Sequence, residues 1–178
     1  MSDTEFTIGR HCGVTFAGLK IASLVSLARG EEDVIACLSR RFANKGFAFR
    51  FLREDEERLL VYICHRDRLE EYLSMPKVRA FLARFGYDYT SAEEALEQLK
   101  GRMSGEFPHE IGVFLGYPLS DVRGFIADPN GCILCGCWKV YSNAEEAAKT
   151  FERYKRCSAC ICRHMQRGRS LTQIFNVR

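Results

Sequence analysis

Nine cysteines and four histidines in 178 residues are the most evident source of chemistry in this sequence. Cys12 follows His11 and leads into an apolar run over residues 14–28, which reads as a buried helix. A thiol at the amino end of a helix feels partial positive charge and unpaired backbone N–H groups, both of which favour the thiolate. Cys12 is therefore a candidate nucleophile or redox thiol, with His109 as its candidate base and Glu110 as the carboxylate that orients the imidazole. His11, Lys20 and Arg123 are candidate ligand-binding residues for a small anion. The plainer alternative is a packed cysteine and a histidine exposed at a helix start. The pattern leaves open whether the chain is an enzyme.

A second constellation is Cys132-x-x-Cys135, followed by Gly136, and Cys157-x-x-Cys160, with 21 residues between the pairs. Two such pairs can close a tetrahedral thiolate site, so Cys132, Cys135, Cys157 and Cys160 are candidate ligands for zinc, a possible cofactor. Alternatively Cys157, Cys160 and His164 share one helical edge and can supply three ligands. Arg153, Arg156, Arg163 and Arg167 crowd the neighbouring face; they disfavour a divalent cation but stabilise thiolates or hold an anion. Buried or idle thiols are the simpler account.

Residues 110–123 resemble a helix-turn-helix, with Gly112, a turn at Gly116 and apolar Val122 six positions later. The second helix offers Ser120, Asp121 and Arg123, and residues 1–138 hold 17 basic against 20 acidic side chains. Affinity for DNA comes mainly from phosphate neutralisation, so this hairpin is a poor candidate for it and nucleic acid is not the expected partner. From Lys139 onward nine Lys and Arg face three acidic residues. That asymmetry suits nucleic acid, an acidic partner or a phosphorylated ligand, with a solvated helix face as the simpler reading.

The elements that must position these groups follow from periodicity and turn chemistry. After the 14–28 run, residues 31–44 form an amphipathic helix, and 47–52 and 59–64 are strands joined by a charged turn. Helices are expected over 67–73, 76–85 and 91–103, the last capped by Thr90 or Ser91. Two short helices follow within 107–126, then a third strand over 132–141. Asn143 and Glu146 suggest a capping box for a long helix to about 166, with Ala147, Phe151, Tyr154, Ser158, Ile161 and Met165 in one inward stripe. A short helix over 170–175 closes the chain. The sum is one α+β domain over 1–178, a small antiparallel sheet of about three strands packed with seven or eight helices, carrying a basic helical part at 143–178.

The apolar share of 47%, a charged share of 28% and a net charge of +3 exclude a disordered chain and a histone-like polyanion binder. No basic-then-apolar leader opens the sequence, and no apolar run approaches the roughly 20 residues of a membrane span. A cytoplasmic protein with reduced thiols and no membrane association is expected, and no feature fixes an oligomeric state. Phosphate loops, dinucleotide fingerprints, serine elbows and HExxH pairs are all missing.

His11-Cys12 leading into Ala17, Gly18, Leu19 and Lys20 carries a resemblance, as do residues 107–126, the segment from Cys135 to Tyr141, and Phe151 to Tyr154. In that order they resemble the bacterial family catalogued as domain of unknown function 3793. The resemblance spans nearly the whole chain and implies a cytoplasmic bacterial protein without an assigned activity. Cys160 and Cys162 are not features of that family.

Overall fold

The computed structural model describes residues 2–105 and 107–177. Its first helix, α1 (Asp3–Phe16), begins earlier than the apolar run suggests. Ser2 caps it, the Ser2 hydroxyl accepting from the Glu5 amide at 3.1 Å, with Asp3 and Glu5 in the positive first turn. A turn through Gly18, at φ 71°, redirects the chain into strand β1 (Ala22–Ala28). The helix expected over 14–28 is thus a helix end, a turn and a strand. The buried hydroxyls of Thr15 and Ser23, 2.7 Å apart, tie helix end to strand start.

Then come α2 (Glu32–Ala43) and the hairpin of β2 (Phe47–Glu54) and β3 (Arg58–His65). The Asp55 carboxylate shapes its turn by accepting from the amides of Glu57 and Arg58 at 3.0 and 2.7 Å. The sheet runs β1-β3-β2, antiparallel throughout, with a bulge between Phe51 and Arg53. Its third strand is therefore β1. The strand expected over 132–141 is a separate two-stranded ribbon, β4 (Leu134–Cys135) with β5 (Lys139–Val140).

Between hairpin and ribbon lie α3 (Arg66–Ser74), α4 (Pro76–Ala83), α5 (Ala92–Arg102), α6 (Ile111–Phe114) and α7 (Leu119–Ala127). After the ribbon come α8 (Ala144–Gln166) and α9 (Leu171–Ile174). The inward stripe of α8 is as expected, with Ala147, Ile161 and Met165 buried. Its capping box is not formed: Asn143 sits at φ 50°, ψ 50° and makes no side-chain cap bond.

The sheet separates two apolar clusters. On one face Leu59, Val61 and Ile63 of β3 meet Ile8, Cys12 and Phe16 of α1, Phe42 of α2, and Ile161 and Met165 of α8. On the other, Tyr62 and Cys64 meet Leu69, Leu82, Leu99, Phe114 and Val122 from α3 to α7. Each fully buried aromatic or aliphatic side chain contributes about 1.5–3 kcal/mol. The α+β class read from the sequence holds, with nine helices, a three-stranded sheet and a two-stranded ribbon among the described residues. No helix among them is long and apolar enough to cross a membrane.

Candidate functional site

Cys12 does not lie at a helix entrance. It is in the third turn of α1, fully buried in the cluster on one face of the sheet, and loss of water pushes its thiol from 9.0 up to about 12, the nearby Lys20 charge opposing this only in part. Glu110 packs in a different place: its carboxylate is 4% exposed, accepts from Arg102 Nε at 2.9 Å and from the Tyr87 hydroxyl at 3.2 Å. Glu110 thus anchors α5 to α6 and does not orient His109, whose exposed ring stands edge-on to Phe125 at 5.2 Å. Cys12 belongs to one face of the sheet, while the Ile111–Phe114 helix that follows His109 and Glu110 packs on the other. The sequence-expected dyad is therefore not assembled.

The anion anchors are scattered as well. His11 is exposed on α1, and Arg123 lies over the Phe81 ring at 5.5 Å. Lys20 is half-buried with its Nζ 5.1 Å from the Tyr117 ring centre, and its removal from water lowers its pKa. Nor do the cysteine pairs converge: among the described residues no three His, Cys, Asp or Glu side chains gather to hold a metal ion. Cys132 and Cys135 stay with the ribbon, and Cys157 and Cys160 lie along α8, where Cys160 is exposed. The expected zinc ligands, including the Cys157, Cys160 and His164 set, are not brought together among the described residues. The helix-turn-helix likeness also ends here, because α6 is a buried four-residue helix and Asp121 points inward.

Burial of Cys12 and Cys64 has a pH consequence. Both thiols are pushed up to about 12 by loss of water. Unfolded, they ionise near 9.0, so their share of folding stability is complete below that pH and drains away as pH climbs toward 12. The loss is about 1.4 kcal/mol per pH unit per thiol. Urea unfolding of the Cys12→Ala/Cys64→Ala variant should decline less steeply than wild type between about pH 9 and 11 by that margin. Parallel declines would show both thiols ionising freely in the folded chain.

What the fold does assemble is a cleft of about 470 Å³ between α6, α7 and the ribbon. Ile111, Leu115 and Val122 contribute apolar lining, Phe125 and Trp138 aromatic rings, and Phe107, 46% exposed, a further ring open to solvent. Gly112 also lines it; a Cβ there would come within 2.9 Å of Val122. Two groups in the lining can carry positive charge, His109 and Lys139, and both bear on the Phe125 ring, Lys139 Nζ at 5.4 Å from its centre. Lys139 also donates to the Pro129 carbonyl at 2.6 Å.

Asp121 holds this cleft together. Its carboxylate, 3% exposed, accepts from Trp138 Nε1 at 2.8 Å, from the amides of Tyr141 and Ser142 at 2.9 and 3.1 Å, and from the Ser142 hydroxyl at 3.3 Å. Trp138 is thereby fixed between Tyr117, stacked at 5.2 Å, and Phe151, edge-on at 4.5 Å. From sequence Asp121 is one acid on a surface helix; only its depth reveals a hub. Phe107, Phe125 and Lys139 carry no motif of their own in the sequence, although aromatics in segments broken by Pro108, Gly116 and Pro118 are a usable signal for a lined hollow.

The family described as "Protein of unknown function (DUF3793)" matches residues 8–175, nearly the whole chain. No curated protein matches, and no solved structure does.

Proposed function

We propose, for a chain that belongs to the DUF3793 family of proteins of unknown function, that it binds a small amphipathic anion, an apolar or aromatic body bearing one acidic group. The small anion of the sequence reading is kept, and the thiol is not, because no cysteine lines the cleft. The observation that carries this reading is the pairing of an apolar hollow of about 470 Å³ with His109 and Lys139 on one ring of its lining. Ligand sites are typically hollows of about 300–1,000 Å³, mostly apolar, with a few polar groups that fix orientation. The Asp121 carboxylate turns its oxygens to Trp138, Tyr141 and Ser142, so the acid is placed by Lys139 and not by that carboxylate.

Trp138 is the one tryptophan of the chain and lines the cleft, so it is a built-in reporter. Titration with anilinonaphthalene sulfonate should quench its emission saturably at one site. Lys139→Glu should weaken that binding about tenfold or more, the scale of a lost charge-assisted contact, and leave the uncharged phenylnaphthylamine unaffected. Absence of saturable quenching, or equal affinity of Lys139→Glu for the anionic dye, overturns the reading.

A further inference from the structure

The outward face of α8 carries a row that the cleft does not use. Arg153, Arg156, Cys160, Arg163 and Arg167 recur at steps of three, four, three and four, which places them on one edge of the helix. That edge is opposite the stripe of Ala147, Ile161 and Met165 that seats α8 on the body, and all five residues are exposed. At about 1.5 Å per residue the row is about 21 Å long. Among the described residues none of its four guanidinium groups is paired with a carboxylate. Of the acids on α8, Glu145 is engaged by Lys149 at 2.8 Å and Glu152 by Lys155 at 3.9 Å, and Glu146 lies in the first turn, beyond the amino end of the row.

We propose that this arginine row is a docking surface for the phosphate backbone of duplex nucleic acid, contacted without reading its sequence. Guanidinium forks match phosphate oxygens bidentately, which a row of lysines does not. Duplex DNA carries its phosphates on two strands separated by grooves about 6 and 12 Å wide, so a straight row of about 21 Å is long enough to bridge a groove and reach the phosphates on both of its sides. The aromatic rings of α8, Phe151 and Tyr154, are half-buried on its inward side, leaving no platform on which a single strand would stack. A protein partner finds no apolar anchor in the row, and a bilayer finds no apolar side chain to take up. Residues 1–138, with 17 basic and 20 acidic side chains, disfavour other approaches and so orient the contact onto α8. The sequence sets nucleic acid aside for the α6–α7 hairpin and reads the basic segment from Lys139 onward more simply as a solvated helix face; the row lies in that basic segment, and its unpaired, one-edged arrangement favours phosphate.

Fluorescence anisotropy with a labelled mixed-sequence duplex of about 20 base pairs tests this. Four phosphate contacts give a log–log salt slope of about −3.6, so affinity should fall about 150-fold between about 50 and 200 mM salt. A shuffled duplex should bind equally. The variant Arg153→Gln/Arg156→Gln/Arg163→Gln/Arg167→Gln keeps good helix formers at exposed positions and should retain its circular dichroism and its dye binding in the cleft, while losing duplex affinity at least about 30-fold. No binding at low salt overturns the proposal, as does undiminished binding by that variant. Preference of the wild type for phosphatidylserine vesicles over duplex at matched salt overturns it in favour of a membrane surface.

Discussion

Asp121→Ala is expected to destabilise the folded chain by about 4 kcal/mol and to collapse the cleft in the same step. The carboxylate is almost wholly buried and serves four donors, the Trp138 indole, two consecutive backbone amides and the Ser142 hydroxyl. Alanine leaves these donors without an acceptor, and each buried orphan costs about 1–3 kcal/mol, less for those that reach water. Asp121→Asn keeps one accepting oxygen for Tyr141 and Ser142 but sets an amide NH₂ against the Trp138 N–H, so about 2 kcal/mol should be lost. Urea unfolding gives the stabilities, and a red shift of Trp138 emission reports the freed indole. If the alanine variant unfolds at the wild-type midpoint with unshifted emission, Asp121 is not the hub described.

Valines at Gly9 and Gly13 together should cost about 4 kcal/mol. These glycines stand one helical turn apart on α1 and face α8. A Cβ on Gly9 would lie 2.3 Å from Met165 Sδ, and one on Gly13 2.6 Å from Ile161 Cδ1. Both opposing side chains end in a packed interior, Met165 fully buried and Ile161 4% exposed, so they have nowhere to retreat. Replacing glycine by β-branched valine inside a helix gains only about 0.3 kcal/mol of propensity per site, which the overlap outweighs. The thermal midpoint should fall steeply. A raised midpoint would mean that the two helices stand farther apart than the packing requires.

Most of the scaffold was legible from periodicity and turn chemistry, because those signals are local. The β2–β3 hairpin, α2, the Ser91 cap of α5 and the inward stripe of α8 emerge where alternation or three-four spacing is clean. Residues 14–28 mislead because they are apolar nearly throughout, so a helix and a strand fit equally well. The available correction was Ser2-x-x-Glu5, a capping signature that starts the helix eleven residues earlier and moves Cys12 from an entrance to an interior. That single displacement removed the reactive thiol. The cleft was less legible for another reason: Glu110 and Asp121 look like surface chemistry until their depth and partners are known, and depth is set by elements far apart in sequence. Cys132, Cys135, Cys157 and Cys160 have ligand spacing within each pair, yet nothing local dictates whether ribbon and helix bring the pairs together.

The central strand is apolar on both of its faces, Leu59, Val61 and Ile63 toward one cluster and Tyr62 and Cys64 toward the other. Sliding it by one residue exchanges greasy side chains for greasy side chains, so the usual penalty for a misaligned hairpin is weak here. Two polar details detect the slip: the Tyr62 hydroxyl, which gives its hydrogen bond to the Phe114 carbonyl at 2.6 Å, and the tight Asp55 turn. Little else in the strand penalises an out-of-line hairpin during folding from denaturant, so loosening either detail should slow refolding more than it lowers the final stability.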